Sequence, residues 1–173
     1  PQNPKTPFLW VVNNYFELMI SAAAHQEDLK VFADRMIRQF TIHLRLFVVE
    51  KIKEACSDAG AAQKLQEAIK DLKLRSDDPE CWDLGTLVVI FKSPTIENNV
   101  FRRCFDDTGF KRATPYLMQI KDLRNKLAHE VSVTMPLSSR HIYSVSETIC
   151  QFFELMTCPV PAVFHEEFWK TRL

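Results

Sequence analysis

The chain has 173 residues, of which 46% are apolar and 25% are charged, and this length and composition are typical of one globular domain with a sizeable core. Only three glycines occur, which argues against the many tight hairpins of an all-β fold. The formal net charge is zero, so the chain as a whole lacks the basic character of a nucleic-acid-binding protein, and any such surface must be local.

Two helices are predicted in the first third of the chain. Thr6 and Pro7 suit an N-cap and a first helical position, and apolar residues follow at helical spacing to about residue 24. A second helix is predicted over residues 26–56, roughly 45 Å long, which suits the spine of a bundle or a dimer surface. Charged residues of this helix lie largely off its apolar stripe: Lys30, Asp34, Arg38 and Arg45.

Shorter helices are predicted in the middle of the chain. Residues 61–74 are rich in strong helix formers. Asp78-Pro79 and Ser93-Pro94 each resemble a cap followed by a first helical position, and they predict helices over residues 79–92 and from 94 to about 105. The apolar run within 84–91 also suits a strand, but no partner strand is evident, so a helix is favoured. Residues 106–109 are typical of a turn.

Two further helices are predicted, from Pro115 to about residue 131 and from Ser138 or Ser139 to about Met156. The expected fold is therefore an all-α bundle of six to seven helices with one long central helix, formed by residues 1–157. Residues 158–173 contain two prolines and predict a tail or a short docking helix.

The five cysteines form no Cys-x-x-Cys pair, and an odd number of them predicts reduced thiols. Cys150, Cys158 and His165 are spaced too loosely for a typical zinc site, so we expect no metal and no cofactor. No apolar run reaches the roughly 20 residues of a membrane-spanning helix, and no secretory signal pattern opens the chain. We expect a piece of a longer intracellular protein, cytoplasmic or nuclear.

The residues best suited to chemistry lie on the helix predicted from Pro115: Arg124, Asn125, Lys126, Leu127, Ala128 and His129. In an ideal helix Asn125 and His129 share a face, and the long Arg124 side chain can reach across the roughly 140° that separate it from His129. An imidazole can move a proton at a ribose 2′-hydroxyl or at a leaving 5′-oxygen. A guanidinium can hold two phosphate oxygens, while an amide can hold the imidazole tautomer or the substrate. These side chains predict metal-independent RNA cleavage that leaves a 2′,3′-cyclic phosphate and a 5′-hydroxyl.

The run Leu-Arg-Asn-Lys-Leu-Ala-His-Glu at residues 123–130 resembles the signature of the HEPN superfamily, an arginine and a polar residue followed by variable positions and a histidine. The resemblance covers six residues and implies a HEPN-like helical bundle, often dimeric and in many members a metal-independent ribonuclease. It implies that Arg124 and His129 are catalytic, that Asn125 is the family's polar residue, and that two motifs face each other across a dimer. Residues 82–105 are loosely similar to a branch found beside a nuclease domain in RNA surveillance.

A local basic patch supports RNA as the partner. Between residues 102 and 126 seven basic side chains stand against three acidic ones, an excess of four positive charges in a neutral chain. Besides Arg124, the residues predicted to bind RNA are Arg102, Arg103, Lys111, Arg112, Lys121 and Lys126. Aromatic residues interleave the patch and can stack on bases: Phe101, Phe105, Phe110 and Tyr116.

Plainer interpretations stay open for each feature. The turn at residues 124–129 can be a solvated helix surface or can hold two helices together, the basic patch can be an ordinary solvated face, and its aromatic residues can belong to the core. His43 is expected to be a core or interface histidine, whereas His141 and His165 are expected to be exposed.

Two functions follow from the sequence, together with the option of a helical scaffold without any link to RNA. The first is an RNA-binding domain with ribonuclease activity that pairs with a second copy or with a related helical domain. The alternative is a non-catalytic dimerisation or protein-interaction module within a larger RNA-processing or RNA-surveillance protein. Some members of the HEPN superfamily keep the motif in that second role.

Overall fold

A computed structural model describes residues 7–57, 59–105, 107–128 and 139–156, with side chains from residue 27 onward except those of residues 59, 107, 108, 110 and 139. Within these ranges the chain forms six α-helices: α1 (Pro7–Ala55), α2 (Ala59–Asp71), α3 (Leu84–Phe91), α4 (Pro94–Asn99), α5 (Asp107–Ala128) and α6 (Ser139–Leu155). Two 3-10 turns, Pro79–Cys81 and Phe101–Arg103, precede α3 and follow α4. No strand occurs in the described ranges, and the predicted all-α bundle is confirmed. The predicted tail over residues 158–173 lies outside them.

A single 49-residue helix, α1, replaces the two helices predicted over the first 56 residues. The predicted break near residue 24 is wrong because neither glycine nor proline interrupts residues 8–56, so nothing in this stretch ends a helix. At 1.5 Å per residue α1 is about 74 Å long. Its second half packs against α2, α3, α5 and α6 and is the central helix of the bundle. The buried stripe consists of Leu29, Ala33, Met36, Ile37, Phe40, Leu44, Phe47 and Val48.

The segment between α2 and α3 differs most from the prediction. The helix predicted over residues 79–92 is divided, because Asp78 caps the short Pro79–Cys81 turn and Asp83 caps α3. The side chain of Asp78 accepts a hydrogen bond from the Glu80 amide, and that of Asp83 accepts one from the Thr86 amide. Trp82, between them, has extended backbone. Two successive caps thus compete with one continuous helix.

The helix predicted from residue 94 to about 105 is also divided, into α4 and the Phe101–Arg103 turn. The start predicted for the next helix is wrong as well. α5 begins at Asp107, so residues predicted as a turn form its first turn, and Pro115 lies inside the helix. Proline lacks an amide hydrogen, so the carbonyl four residues earlier loses its helical donor at this point.

Phenylalanine rings from α1, α3 and α6 meet at the centre of the core. The Phe40 ring lies edge-to-face against Phe152 and Phe153, with centroids 5.6 and 5.7 Å apart. Phe91 stacks on Phe101 at 4.3 Å and lies 6.0 Å from Phe152. The start of α6 at Ser139 and its end near Met156 agree with the prediction. Its buried face consists of Ile142, Val145, Ile149, Phe152 and Phe153.

The cysteines of the described ranges form no disulfide with one another: Cys56, Cys81, Cys104 and Cys150. In the same ranges no three histidine, cysteine or carboxylate side chains cluster as metal ligands, and Cys158 and His165 lie outside them. None of the described helices is both long enough and apolar enough to cross a bilayer.

Candidate functional site

The predicted motif occupies the last turns of α5. Its described residues are Arg124, Asn125, Lys126, Leu127 and Ala128. His129 lies outside the described residues, so its placement beside Arg124 stays a prediction. The structure therefore describes the surroundings of the arginine and not those of the histidine.

The apolar face of α5 holds the helix against the bundle. Leu117, Ile120 and Leu123 are buried, and the side-chain oxygen of Gln119 accepts a hydrogen bond of 3.0 Å from Thr148 of α6. Arg124 directly follows the last of these buried leucines. Its backbone is fixed by core packing, while its side chain lies at the surface.

The Arg124 guanidinium makes two long polar contacts. Its side chain is 45% exposed, and Nη2 lies 4.0 Å from Oδ2 of Asp83, which is 55% exposed. Nη1 donates to Oδ1 of the neighbouring Asn125 at 3.4 Å. A pair at this distance and exposure contributes little to stability and is easily exchanged for another anion. The guanidinium is therefore within reach of a ligand from solvent.

Asp83 joins the start of α3 to this arginine. Its Oδ1 accepts the Thr86 amide hydrogen bond at 2.8 Å, which is an N-cap of α3. That hydrogen bond, followed by the nearby charges of Arg124 and Arg75, holds the pKa of the Asp83 carboxyl below its ordinary value, although partial burial acts in the opposite direction. Asp83 therefore faces Arg124 as a carboxylate over the whole neutral range.

A groove of about 310 Å³ opens beside Arg124, between α1, the first residues of α3 and the end of α5. Three arginines line it, Arg38 and Arg45 from α1 and Arg124 from α5. Asp34 and Asp83 are the acidic residues of the lining. The remaining lining residues are Ile37, Thr41, Ile42 and Leu84. Guanidinium groups from two helices thus share one concave surface.

A backbone carbonyl far along the chain holds Arg45 in place. The Arg45 Nε donates to the carbonyl oxygen of Trp82 at 3.0 Å. Trp82 is only 3% exposed, and its indole Nε1 donates to the carbonyl oxygen of Ser76 at 3.1 Å. Burial and the hydrogen bond to Ser76 hold Trp82 in place, so its carbonyl oxygen fixes the orientation of the Arg45 guanidinium.

The other predicted RNA-binding residues do not line this groove. Arg102, Arg103, Lys111, Arg112 and Lys126 are exposed, and Lys121 is half-buried. Lys126 follows Arg124 by two residues, about 200° around the helix, and so lies on nearly the opposite side of α5. The structure brings Arg124 together with α1 rather than with these six residues.

The predicted stacking role is wrong for two of the aromatic residues. Phe101 is 0% and Phe105 is 8% exposed, and both rings pack on Phe91 in the core. Tyr116 is half-buried, and the side chain of Phe110 lies outside the described residues. Both rings are buried because they cover the ring of Phe91 on α3.

Arg38, Arg45 and Asp83 line the groove although the sequence did not predict them as site residues. Arg38 and Arg45 are seven residues apart, two helical turns, and therefore lie on one face of α1 outside its apolar stripe. This spacing was visible in the sequence, but charged residues on the outer face of a helix carry no sign of which other helix they approach. The signal for Asp83 was its position as a cap before an apolar run.

The prediction for His43 is confirmed, and the prediction for His141 is wrong. His43 is half-buried, with its ring 6.0 Å from that of Phe153, as expected for a core histidine. His141, predicted to be exposed, is half-buried at the start of α6. Burial and, to a smaller extent, the charge of Lys126 lower the pKa of His141. His165 lies outside the described residues.

No protein-family model, curated protein or solved structure matches this chain. The likeness of residues 123–130 to the HEPN signature therefore stays a prediction from the sequence. The groove beside Arg124, with its charge and geometry, is the structural feature that bears on function.

Proposed function

We propose that this domain binds RNA and cleaves it without a metal ion, with Arg124 and His129 as the catalytic pair and Asn125 beside them. One observation carries the proposal: the Arg124 guanidinium is 45% exposed at a groove that it shares with Arg38 and Arg45. Phosphodiesters are anions that arginines recognise through paired hydrogen bonds. The basic residues of the 102–126 segment add to the attraction of a phosphate backbone.

In the proposed reaction the ribose 2′-oxygen attacks the adjacent phosphorus, and the bond between phosphorus and the 5′-oxygen breaks. One proton leaves the 2′-hydroxyl and one reaches the departing 5′-oxygen, so the products are a 2′,3′-cyclic phosphate and a 5′-hydroxyl. His129 serves as the general base or the general acid, and in a paired domain each copy's His129 can serve one step. Arg124 offsets the charge that develops on the non-bridging phosphate oxygens.

The test is incubation of single-stranded RNA with the full chain in EDTA, with detection of cyclic-phosphate and 5′-hydroxyl ends. Because a positioned proton-transfer group contributes roughly 10²- to 10⁴-fold, His129→Ala is expected to lose at least about 100-fold in rate. Arg124→Gln is expected to lose a comparable factor. Lys53→Gln, an exposed change near the end of α1, is the control and keeps the activity. Absence of cleavage by the wild type, or equal cleavage by His129→Ala, contradicts the enzymatic proposal.

A second function, a dimerisation or protein-interaction module, is favoured by two exposed apolar side chains on α1. Ile42 and Leu46 are 44% and 61% exposed, and they lie about one turn apart on one face of the helix. Exposed apolar side chains grouped on one face suit a protein interface. In this role His129→Ala changes association or melting and leaves RNA turnover at zero, whereas Leu46→Glu weakens association in sedimentation experiments.

A further inference from the structure

We propose that the groove formed by Arg38, Arg45 and Arg124 binds a backbone phosphate of single-stranded RNA next to the phosphate being cleaved, with Arg38 and Arg45 as its ligands. The inference rests on the proposed function for the identity of the ligand, RNA. It adds two binding residues from α1, a helix that the motif does not include. It also predicts the path of the bound strand, which runs from Arg124 across the groove to α1.

The two arginines of α1 are available to an anion for different reasons. The Arg45 Nε donates a hydrogen bond to the Trp82 carbonyl oxygen, and no described carboxylate forms an ion pair with Arg45. Arg38 pairs with Asp34 at 2.7 Å, but the two side chains are 76% and 51% exposed. Such an exposed pair one helical turn apart contributes only a few tenths of a kcal/mol, which a phosphate can replace.

The charge of the α1 side of the groove matches one phosphodiester. Arg38 and Arg45 carry two positive charges and Asp34 offsets one of them, which leaves one positive charge for the single negative charge of a backbone phosphate. A phosphate bridging Arg38 and Arg45 would meet an oriented guanidinium at Arg45 and a mobile, solvated one at Arg38.

Aliphatic side chains line the groove beside its arginines. Ile37 and Leu84 are buried, and Ile42 is 44% exposed. Grooves for single-stranded nucleic acid combine cations that follow the backbone with aromatic side chains for the bases, and none of the lining residues is aromatic, so the contacts proposed here are with the phosphate and the sugar. The volume of about 310 Å³ is at the lower end of ligand pockets, which favours one nucleotide unit rather than a folded partner.

The experiment measures binding separately from cleavage. A fluorescent oligoribonucleotide with 2′-O-methyl groups, which cannot be cleaved by its own 2′-oxygen, is titrated with the full chain at several salt concentrations. Arg38→Gln and Arg45→Gln are compared with Lys53→Gln, which removes the same charge from an exposed position of the same helix. Melting temperatures identify any variant that fails to fold. Arg45→Gln loses the Trp82 hydrogen bond, so Arg38→Gln decides alone if that variant unfolds.

Arg38→Gln and Arg45→Gln are each expected to weaken binding about fivefold at roughly 0.1 M salt. Each is also expected to lower the slope of log affinity against log salt concentration by about 0.7, since each phosphate contact on a single strand adds that much. Lys53→Gln is expected to change neither value. Asp34→Asn is expected to tighten binding, because it removes the carboxylate that competes for Arg38.

The outcomes separate the two proposals. If Arg38→Gln binds like Lys53→Gln while the wild type binds and cleaves RNA, the groove proposal is overturned and the proposed function stands. If both arginine variants lose affinity but the wild type does not cleave unmodified RNA, the groove is supported and the enzymatic proposal fails. If the wild type shows no salt-dependent RNA binding, both fail. Equal affinity for a free 5′-mononucleotide and the oligonucleotide would show a nucleotide site and overturn the assignment to an RNA strand.

Discussion

At the scale of single residues, Asp83 performs two tasks with two oxygens. Oδ1 caps α3 through the Thr86 amide, and Oδ2 faces the Arg124 guanidinium. The cap ties the carboxylate to the fold, and the 4.0 Å separation leaves the arginine able to exchange it for a ligand. Asp83 therefore lies beside Arg124 in the groove without competing strongly for it.

The lowered pKa of Asp83 gives a pH prediction with a definite sign. A carboxyl whose folded pKa lies below its ordinary value of 3.8 stabilises the fold above that value, and the contribution is lost as pH falls through the folded pKa. Asp83→Asn keeps a capping acceptor but not the charge. We expect wild type to melt at a higher temperature than Asp83→Asn at pH 7, and the gap to shrink below about pH 4.

The check is thermal unfolding followed by circular dichroism from about pH 7 down to about pH 2. Asp77→Asn, a change at an exposed aspartate six residues before Asp83, is the control and should show a flatter difference. A constant gap between wild type and Asp83→Asn across this range would show that the carboxylate charge contributes nothing.

Part of the site was predictable at this scale and part was not. Arg124 was singled out from its local pattern and lies at the groove. Arg45 was noted only as a charged residue off the apolar stripe, because its partner, the Trp82 carbonyl, is 37 residues away. Contacts of that kind depend on how helices pack, and a periodic pattern in one segment does not encode them. The role of His129 stays a prediction.

At the scale of elements, the length of the helices depended on a few residues. The position of α2 and the start of α6 were predicted within a few residues, because their caps and periodicity agree. The continuous α1 was missed because the composition changes near residue 24, from apolar to charged, without a helix-breaking residue. Asp83 starts a new helix where one continuous helix was predicted. Pro115, by contrast, lies inside a helix that was predicted to begin there.

Pro115 gives a prediction for α5. It is an exposed residue well inside the helix, where proline costs about 3 kcal/mol relative to alanine. Pro115→Ala restores an amide donor but also increases the freedom of the unfolded chain. We expect a net gain of about 1–2 kcal/mol in the free energy of unfolding, measured by urea denaturation.

Asp122→Ala, at another exposed position of α5, serves as the control and should change stability by only about 0.5 kcal/mol through helix propensity. A loss of stability in Pro115→Ala would mean that the backbone geometry set by this proline is needed for packing of α5 on α6.

At the scale of the whole molecule, Phe40 connects α1 to α6. It is fully buried and contacts the rings of Phe152 and Phe153. Phe40→Ala would leave a cavity among aromatic rings, and we expect a loss of about 3–5 kcal/mol in the free energy of unfolding. Ile42→Ala, two residues later and 44% exposed, should cost less than about 1 kcal/mol. Urea denaturation of both variants measures the difference, and similar costs would contradict the placement of Phe40 at the centre of the core.

The aromatic cluster also sets an order of events during synthesis. Phe40 precedes Phe152 in the chain by about 110 residues, so the ribosome releases the first ring long before the second has been translated. Over that interval the apolar side of α1 lacks its native cover and is open to chaperones and to aggregation. The described bundle can close only when α6 has emerged, which makes the speed of translation through the second half of the message a determinant of yield.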